Sequence, residues 1–356
     1  MLPAAPAVAR ATLRALAARQ GRGRDIETDE EPGKILHEYR PVAGAWFAEQ
    51  NWPVRDGALL YYGTSDATSW FLIVLAALDE PPLTAELEPA WRAAAGWLSG
   101  ALTAGAGLVR HGPRRSPGGL AQQGWRDAVA PVAEHPAGAG IVHPDGSAPA
   151  APLADADSQA AAVAALDALE RLDPGTGWDA RAAALRARVT AAFAPRGHGS
   201  AGDWAMAVDG GGTPVVGAGS QLGWLLWADA LEGEAAAAAA ERLAAPDVAT
   251  GFGLRTLSAE HPAFRAHGYH RGGVWPFDCW LGWGGLRAAG HADPAERVRT
   301  GVLAALDRLG RAPELYAVSA GDELEPVRLA NRVQAWTVGA RWALEASWDG
   351  RPATSG

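Results

Sequence analysis

Stretches with apolar residues at spacings of three and four recur along the whole chain, separated by long connections rich in glycine and tryptophan. The pattern predicts helices at Ala4–Gln20, from Ser65 or Asp66 to Leu78, and at Thr84–Leu102, Asp155–Leu172 and Trp178–Phe193. It predicts five more at Ser220–Leu231, Glu234–Ala244, Trp275–Ala289, Pro294–Leu309 and Val333–Ala346. The six alanines at 235–240 favour a helix and imply nothing more. No alternating pattern of strand length stands out, so the expected class is all-α. Helical hairpins whose long connections gather at one end suggest a closed or nearly closed α/α toroid with its site where those connections converge. Their irregular spacing, about 50 residues, argues against a solenoid array. One composition regime runs through residues 1–356, so a single domain is expected.

Charge and cysteine content narrow the function classes. A net charge of −9 argues against a nucleic-acid surface, which needs a clustered basic face. Cys279 is the one cysteine and excludes an intrachain disulfide or a cysteine-based zinc cluster. No apolar run approaches the roughly 18 residues of a membrane span. The N-terminal stretch carries its arginines inside the apolar segment and reads as a helix, not a signal peptide. The expectation is a soluble, cytoplasmic protein that meets neither nucleic acid nor membrane. No metal or cofactor is expected, because His37–Glu38 and His267/His270 come without the further ligands a metal needs. There is no phosphate loop, GxSxG elbow or HExxH motif either.

The stretch Gly268–Gly285, GYHRGGVWPFDCWLGWGG, suggests a site rim. His270, Arg271, Gly272 and Gly273 spell a turn, Pro276 suits the first position of a helix, and Asp278 stands among aromatic residues. An ionisable group there finds a partner or faces a cavity. Similar mixtures recur in EEPGKILHEYR (Glu30–Arg40) with YYGTSDAT (Tyr61–Thr68), in QQGWRDA (Gln122–Ala128), and in PELYAV (Pro313–Val318) with VQAWTVGARW (Val333–Trp342). The 16 tryptophans, against 5 tyrosines and 6 phenylalanines, suit stacking on sugar rings as well as filling a core. Taken singly, each polar residue has a plain reading: Asp66 as a helix cap, Asp127 as a partner of Arg126, His270 and Arg271 as turn residues, Glu314 as a solvated carboxylate. Together, carboxylates, arginines and tryptophan faces on loops of one architecture are what cleavage of a glycosidic bond requires.

In these segments the chain resembles the C-terminal glucosidase domain of the amylo-alpha-1,6-glucosidase (glycogen-debranching) family. TLRALAARQG, EEPGKILHE, YYGTSDAT, QGWRD, SQLGWLLW, GFGLRTLS, YHRGGVWPFD, PELY and QAWTVGA follow the family's order from Thr12 to Ala340. The resemblance implies an (α/α)6 toroid of the six-hairpin glycosidase type and hydrolysis of α-glucosidic, debranching-type linkages with inversion, on an oligosaccharide or polysaccharide. It assigns Asp127 as general acid and Glu314 as general base. It places Asp66, Trp125, Arg126, His270, Trp275, Asp278, Gln334 and Trp336 around the sugar, and Trp125 is suited to desolvate the acid. An inverting pair implies carboxyl groups roughly 6.5–9.5 Å apart.

The departures are specific. QGWRD is followed by Ala128, Val129, Ala130 and Pro131 without the family's second aspartate. Asp157-Ser158-Gln159 replaces a Glu-x-Gln, and Asn331-Arg332-Val333 replaces a Cys-x-Pro. The family's N-terminal β-sandwich and its first toroid helix, which bears a Phe-Gly-Arg-Asp motif, have no counterpart after Met1. The expectation is therefore a toroid of about eleven helices, incomplete at the N-terminus. The alternative is a glycan-binding remnant without catalysis. A terpene cyclase on a related toroid would need Asp-rich motifs that this sequence lacks.

Overall fold

A computed structural model describes residues 3–112, 118–129, 140–195, 204–328 and 330–350. They form two compact units, an N-terminal one within residues 2–138 and 151–185 and a C-terminal one within residues 139–150 and 186–356.

The N-terminal unit contains α1 (Pro6–Ala18), β1 (Glu38–Arg40), α2 (Ala45–Glu49), β2 (Val54–Arg55), β3 (Ala58–Tyr61), α3 (Ala67–Leu78), α4 (Pro81–Glu86) and α5 (Glu88–Ala104). β4 (Leu120–Gln122), β5 (Ala128–Val129), β6 (Ala154–Asp155) and α6 (Ala156–Leu172) follow. The division between the units falls inside α7 (Trp178–Phe193). α3 packs on α6, α5 and α1. Burial of Phe71, Leu72, Ile73 and Leu75 on α3 and of Val163, Leu166 and Leu169 on α6 holds that contact, each side chain contributing about 1.5–3 kcal/mol over its exposed state. β1, β3 and β2 form an antiparallel sheet with Glu38 opposite Tyr61 and Val54 opposite Leu59. Leu59, Tyr61 and Leu120 are its buried core, against which Phe47 and Trp52 pack.

The C-terminal unit contains β7 (Ala205–Val208), β8 (Pro214–Val216), α8 (Gln221–Trp227), α9 (Glu234–Leu243), β9 (Ala249–Thr250) and β10 (Gly253–Leu254). Then come α10 (Pro276–Ala288), α11 (Ala292–Leu309), β11 (Tyr316–Val318), β12 (Leu324–Pro326) and α12 (Ala335–Glu345). α10 packs on α8, α11 and α12. Its approach to α8 is a glycine-to-glycine crossing: a Cβ on Gly223 would lie 2.5 Å from the Gly282 Cα, and one on Gly285 would lie 2.6 Å from the Gly223 carbonyl oxygen. β7–β8, β9–β10 and β11–β12 are antiparallel hairpins within the loops.

Two sequence expectations are refined. The chain is helix-rich as expected, and among the described residues twelve strands of two to four residues line the connections. Runs that short cannot display a period of two. Backbone pairing, not side-chain alternation, makes them. The helix expected at Thr84–Leu102 is two, α4 and α5, which meet at Leu87; Pro81 and Pro89 each stand in a first turn, where proline's missing N–H costs nothing.

The connections alternate in length. Residues 19–66, 105–155, 194–220, 244–275 and 310–334 are long, whereas 173–177, 228–233 and 289–291 are short. Every sequence-predicted site residue lies in a long connection or in the first turn of the helix that follows one. Ala130 and Pro131, in the 105–155 connection, lie outside the described residues.

Candidate active site

In the N-terminal unit, QGWRD is the turn between β4 and β5. Gln122 pairs with Ala128 across a bulge, so Gln123 to Asp127 are left to form the tip. The Gln123 carbonyl accepts from the Ser65 N–H at 2.7 Å and from the Ser65 hydroxyl at 3.0 Å. The Ser65 hydroxyl also bonds the Ser158 hydroxyl at 2.7 Å. The 61–68 segment, the tip and the start of α6 are thereby tied together. Gly124 is required there, since a Cβ would fall 2.8 Å from the Asp155 carboxylate.

Trp125 and Arg126 are buried, and the Arg126 guanidinium lies 5.0 Å from the centre of the Trp125 ring. Arg126 Nε donates to Asp157 Oδ2 at 2.8 Å, with both side chains buried. Arg126 thus holds an aspartate on α6, and Asp127 is half-buried beside it. The altered Asp157-Ser158-Gln159 segment now has its explanation. Asp157 takes the arginine, Ser158 joins the hydroxyl bridge, and Gln159 accepts from the Val109 N–H and donates to the Val109 carbonyl, both at 2.8 Å.

Asp66 stands at the N-cap position of α3, but its side chain makes no capping bond. Thr64 takes that role weakly: its hydroxyl accepts from the Ala67 N–H at 3.3 Å and donates to Asp66 Oδ1 at 2.8 Å. Burial pushes the Asp66 carboxyl up to about 6, the Thr64 hydroxyl opposing the shift and the charge of Asp155 adding to it. Burial would raise Asp155 too, but His111, at 3.3 Å, and the Ser158 N–H outweigh it and hold that carboxyl below the usual range.

In the C-terminal unit, the Gly268–Gly273 turn forms as expected. Gly273 N–H donates to the Gly268 carbonyl at 2.9 Å. Gly272 has φ +143, and a Cβ there would sit 2.5 Å from the Arg265 carbonyl oxygen, so only glycine fits. Trp275 is the N-cap of α10, and Pro276 opens the helix. Val274 and Tyr316 exchange backbone hydrogen bonds of 2.8 and 3.0 Å, which ties this turn to the strand after Glu314.

Glu314 is buried, not a solvated loop carboxylate. Its Oε1 accepts from the Tyr269 hydroxyl at 2.7 Å and its Oε2 from the Asn331 N–H at 3.1 Å. Tyr269 stands edge-on to His270 at 4.6 Å and to Trp275 at 4.7 Å. His270 and Trp275 stack at 5.1 Å with their planes 7° apart. Trp336, in the first turn of α12, stands edge-on to Trp275 and stacks on Phe277 at 5.4 Å, keeping 37% of its surface exposed. Asp278 is fully buried and accepts from Trp224 Nε1 at 2.7 Å. Gln334 caps α12 through its backbone: its N–H donates to the Ala312 carbonyl at 2.9 Å and its carbonyl accepts from the Val338 N–H at 3.1 Å.

The structure thus groups Asp66, Trp125, Arg126 and Asp127 around the β4–β5 tip, and His270, Trp275, Glu314 and Trp336 around Tyr269. Asp278, in the first turn of α10, bonds Trp224, and Gln334 caps α12 through its backbone. Sequence reasoning missed Tyr269 and Asp157. Tyr269 shows only as the neighbour of His270, and Asp157 only as a departure from pattern. Among the described residues no group of histidine, cysteine, aspartate and glutamate could hold a metal ion, and no helix is long and apolar enough to cross a membrane.

The mannosylglycerate hydrolase MGH1-like glycoside hydrolase domain matches residues 149–327. The chain is similar to the GH63 mannosylglycerate hydrolase from Thermus thermophilus in complex with glucose, at 20% identity and a TM-score of 0.61, over 94% of this chain and 86% of that one. The same enzyme in complex with Tris and D-glycerate gives 18% identity and 0.61, over 94% and 87%. A wild-type glycosidase gives 15% identity and 0.51, over 97% and 82%. At these identities the likeness speaks for the fold, that of six-hairpin-type glycosidases. No curated protein matches the chain. With its matched region spanning half its length, the chain belongs to the MGH1-like glycoside hydrolase domain family.

Proposed function

We propose that the protein is an inverting glycoside hydrolase with Asp127 as general acid and Glu314 as general base. Asp127 gives its proton to the leaving oxygen as the glycosidic bond breaks. Glu314 takes a proton from the water whose oxygen bonds the anomeric carbon from the opposite face. The observation that carries this reading is the state of Glu314, a buried carboxylate with one donor on each oxygen, next to aromatic faces suited to a sugar. Two donors occupy two of about four lone-pair sites and leave the others for a water proton. Asp66, Trp125, Arg126, His270, Trp275, Asp278, Gln334 and Trp336 form the substrate-binding set of this reading. Residues 1–356 act in it as one (α/α)6 domain. Asp66 supports it further, because a carboxyl kept where burial works against its charge is more readily explained by a ligand than by stability.

The substrate we propose is a small α-glycoside, in keeping with the family and with a structural relative that carries glucose in one complex and D-glycerate in another. A second reading, hydrolysis of debranching-type α-1,6 ends, rests on the ordered motifs from Thr12 to Ala340. Assays with mannosylglycerate, glucosylglycerate and isomaltose distinguish the two. Product anomers read by proton NMR should show inversion. Asp127→Asn and Glu314→Gln should each lose roughly 10²–10⁴-fold in turnover. With an α-glycosyl fluoride, whose leaving group needs no proton, Asp127→Asn should recover and Glu314→Gln should not. Wild-type turnover of the natural substrate by either variant would overturn the assignment.

A further inference from the structure

The Tyr269 hydroxyl is the only side-chain donor among the described hydrogen bonds to Glu314, and it reaches the oxygen that the Asn331 amide does not. With one donor on each oxygen, the carboxylate cannot turn about its last bond without breaking a charge-assisted hydrogen bond. The tyrosine is itself fixed at both ends. Its carbonyl accepts from Trp275 Nε1 at 2.8 Å, and its ring is edge-on to both His270 and Trp275. The Val274–Tyr316 backbone bridge fixes the spacing between the tyrosine turn and the glutamate segment. An aromatic cluster that reads as sugar-facing thus also holds one phenolic hydroxyl against one carboxylate.

Resting on the base assignment above, we propose that Tyr269 is a positioning residue that sets the orientation of the Glu314 carboxylate for water activation. It makes no covalent bond to substrate and carries no proton away. Water gives its proton to Glu314, and Tyr269 keeps its own while donating to Oε1. Its contribution belongs to the attack step and depends on Glu314 being a carboxylate.

The test is a double-mutant cycle of Tyr269→Phe and Glu314→Gln on the full chain, read with an α-glycosyl fluoride so that slow variants stay measurable. Phenylalanine keeps the ring contacts with His270 and Trp275 and removes only the hydroxyl. Tyr269→Phe should lower kcat roughly 10–100-fold with KM within about twofold, while the protein stays folded and its melting temperature falls by only a few degrees. In the Glu314→Gln background it should cost nothing further. Wild-type kcat in Tyr269→Phe, with Glu314→Gln inactive, would overturn the positioning role and leave the base intact. An equal loss in both backgrounds would also overturn it, since the tyrosine would then act independently of the glutamate. Full activity in Glu314→Gln would overturn the base assignment and the inference with it.

Discussion

Beside Asp127, Arg126 and Asp157 form a buried ion pair at 2.8 Å, whereas Glu314 is held by a phenolic hydroxyl and a backbone amide, both uncharged. The first arrangement demands a particular side chain at both ends. Removing one partner strands a buried charge, a loss of about 3–5 kcal/mol. The second asks for one tyrosine and for any residue with an N–H. A neutral donor to a carboxylate costs about 1.5–3 kcal/mol when removed. The contrast explains where the sequence can vary. Asn331 reaches Glu314 through its main chain only, whereas Asp157 meets Arg126 with its charge.

Breaking the charged arrangement should give the largest effect. Arg126→Ala should destabilise the protein by about 3–5 kcal/mol in urea unfolding, and Asp157→Leu added to Arg126→Met should recover most of the loss. Failure of the pair to recover would show that the arginine holds the tip through other contacts.

The uncharged arrangement should break selectively. Asn331→Ala should leave turnover unchanged within about twofold, whereas Asn331→Pro, which removes the amide to Glu314, should lower kcat roughly 10–100-fold. Steady-state kinetics on the two variants checks this, and equal losses would show that the asparagine side chain matters.

The smallest effect concerns Asp66, the uncompensated member of the N-terminal group. Between about pH 4, where an exposed aspartate titrates, and about pH 6 the folded protein keeps a proton that the unfolded chain has released. Asp66 therefore costs stability as pH rises through that window. Asp66→Asn, which can still accept from Thr64, should raise stability by about 1–2 kcal/mol at pH 7.5 and by nothing below pH 4. Thermal melts across that range would show the two curves merging at low pH.

The long amphipathic segments were legible because a helix repeats its signal over several turns. Trp178–Phe193 matches residue for residue, and the other helices, with the Thr84–Leu102 stretch split in two, hold to within a few residues at their ends. The strands were not legible, since two-residue runs such as Ala249–Thr250 and Gly253–Leu254 are too short to show an alternation. α2 is one short turn inside a stretch read as loop, and its Trp46 and Phe47 carry no periodicity. Among the site residues, types and neighbours were legible and partners were not. Pairing Asp127 with Arg126 is the obvious local guess, yet Arg126 reaches 31 positions along the chain to Asp157. The Tyr269–Glu314 contact spans 45 positions and leaves no periodic mark in sequence.

Cys279 lies fully buried on α10, its sulfur accepting from the Leu254 N–H at 3.2 Å, and burial raises its thiol well above the ordinary range. As the sole cysteine it is a built-in clock for local opening. In the folded state a thiol reagent cannot reach it, and its labelling rate counts how often α10 parts from the β9–β10 hairpin. Measured with and without a bound sugar, that rate would report on breathing of the helix start beside the His270–Trp275 stack, with no cysteine introduced.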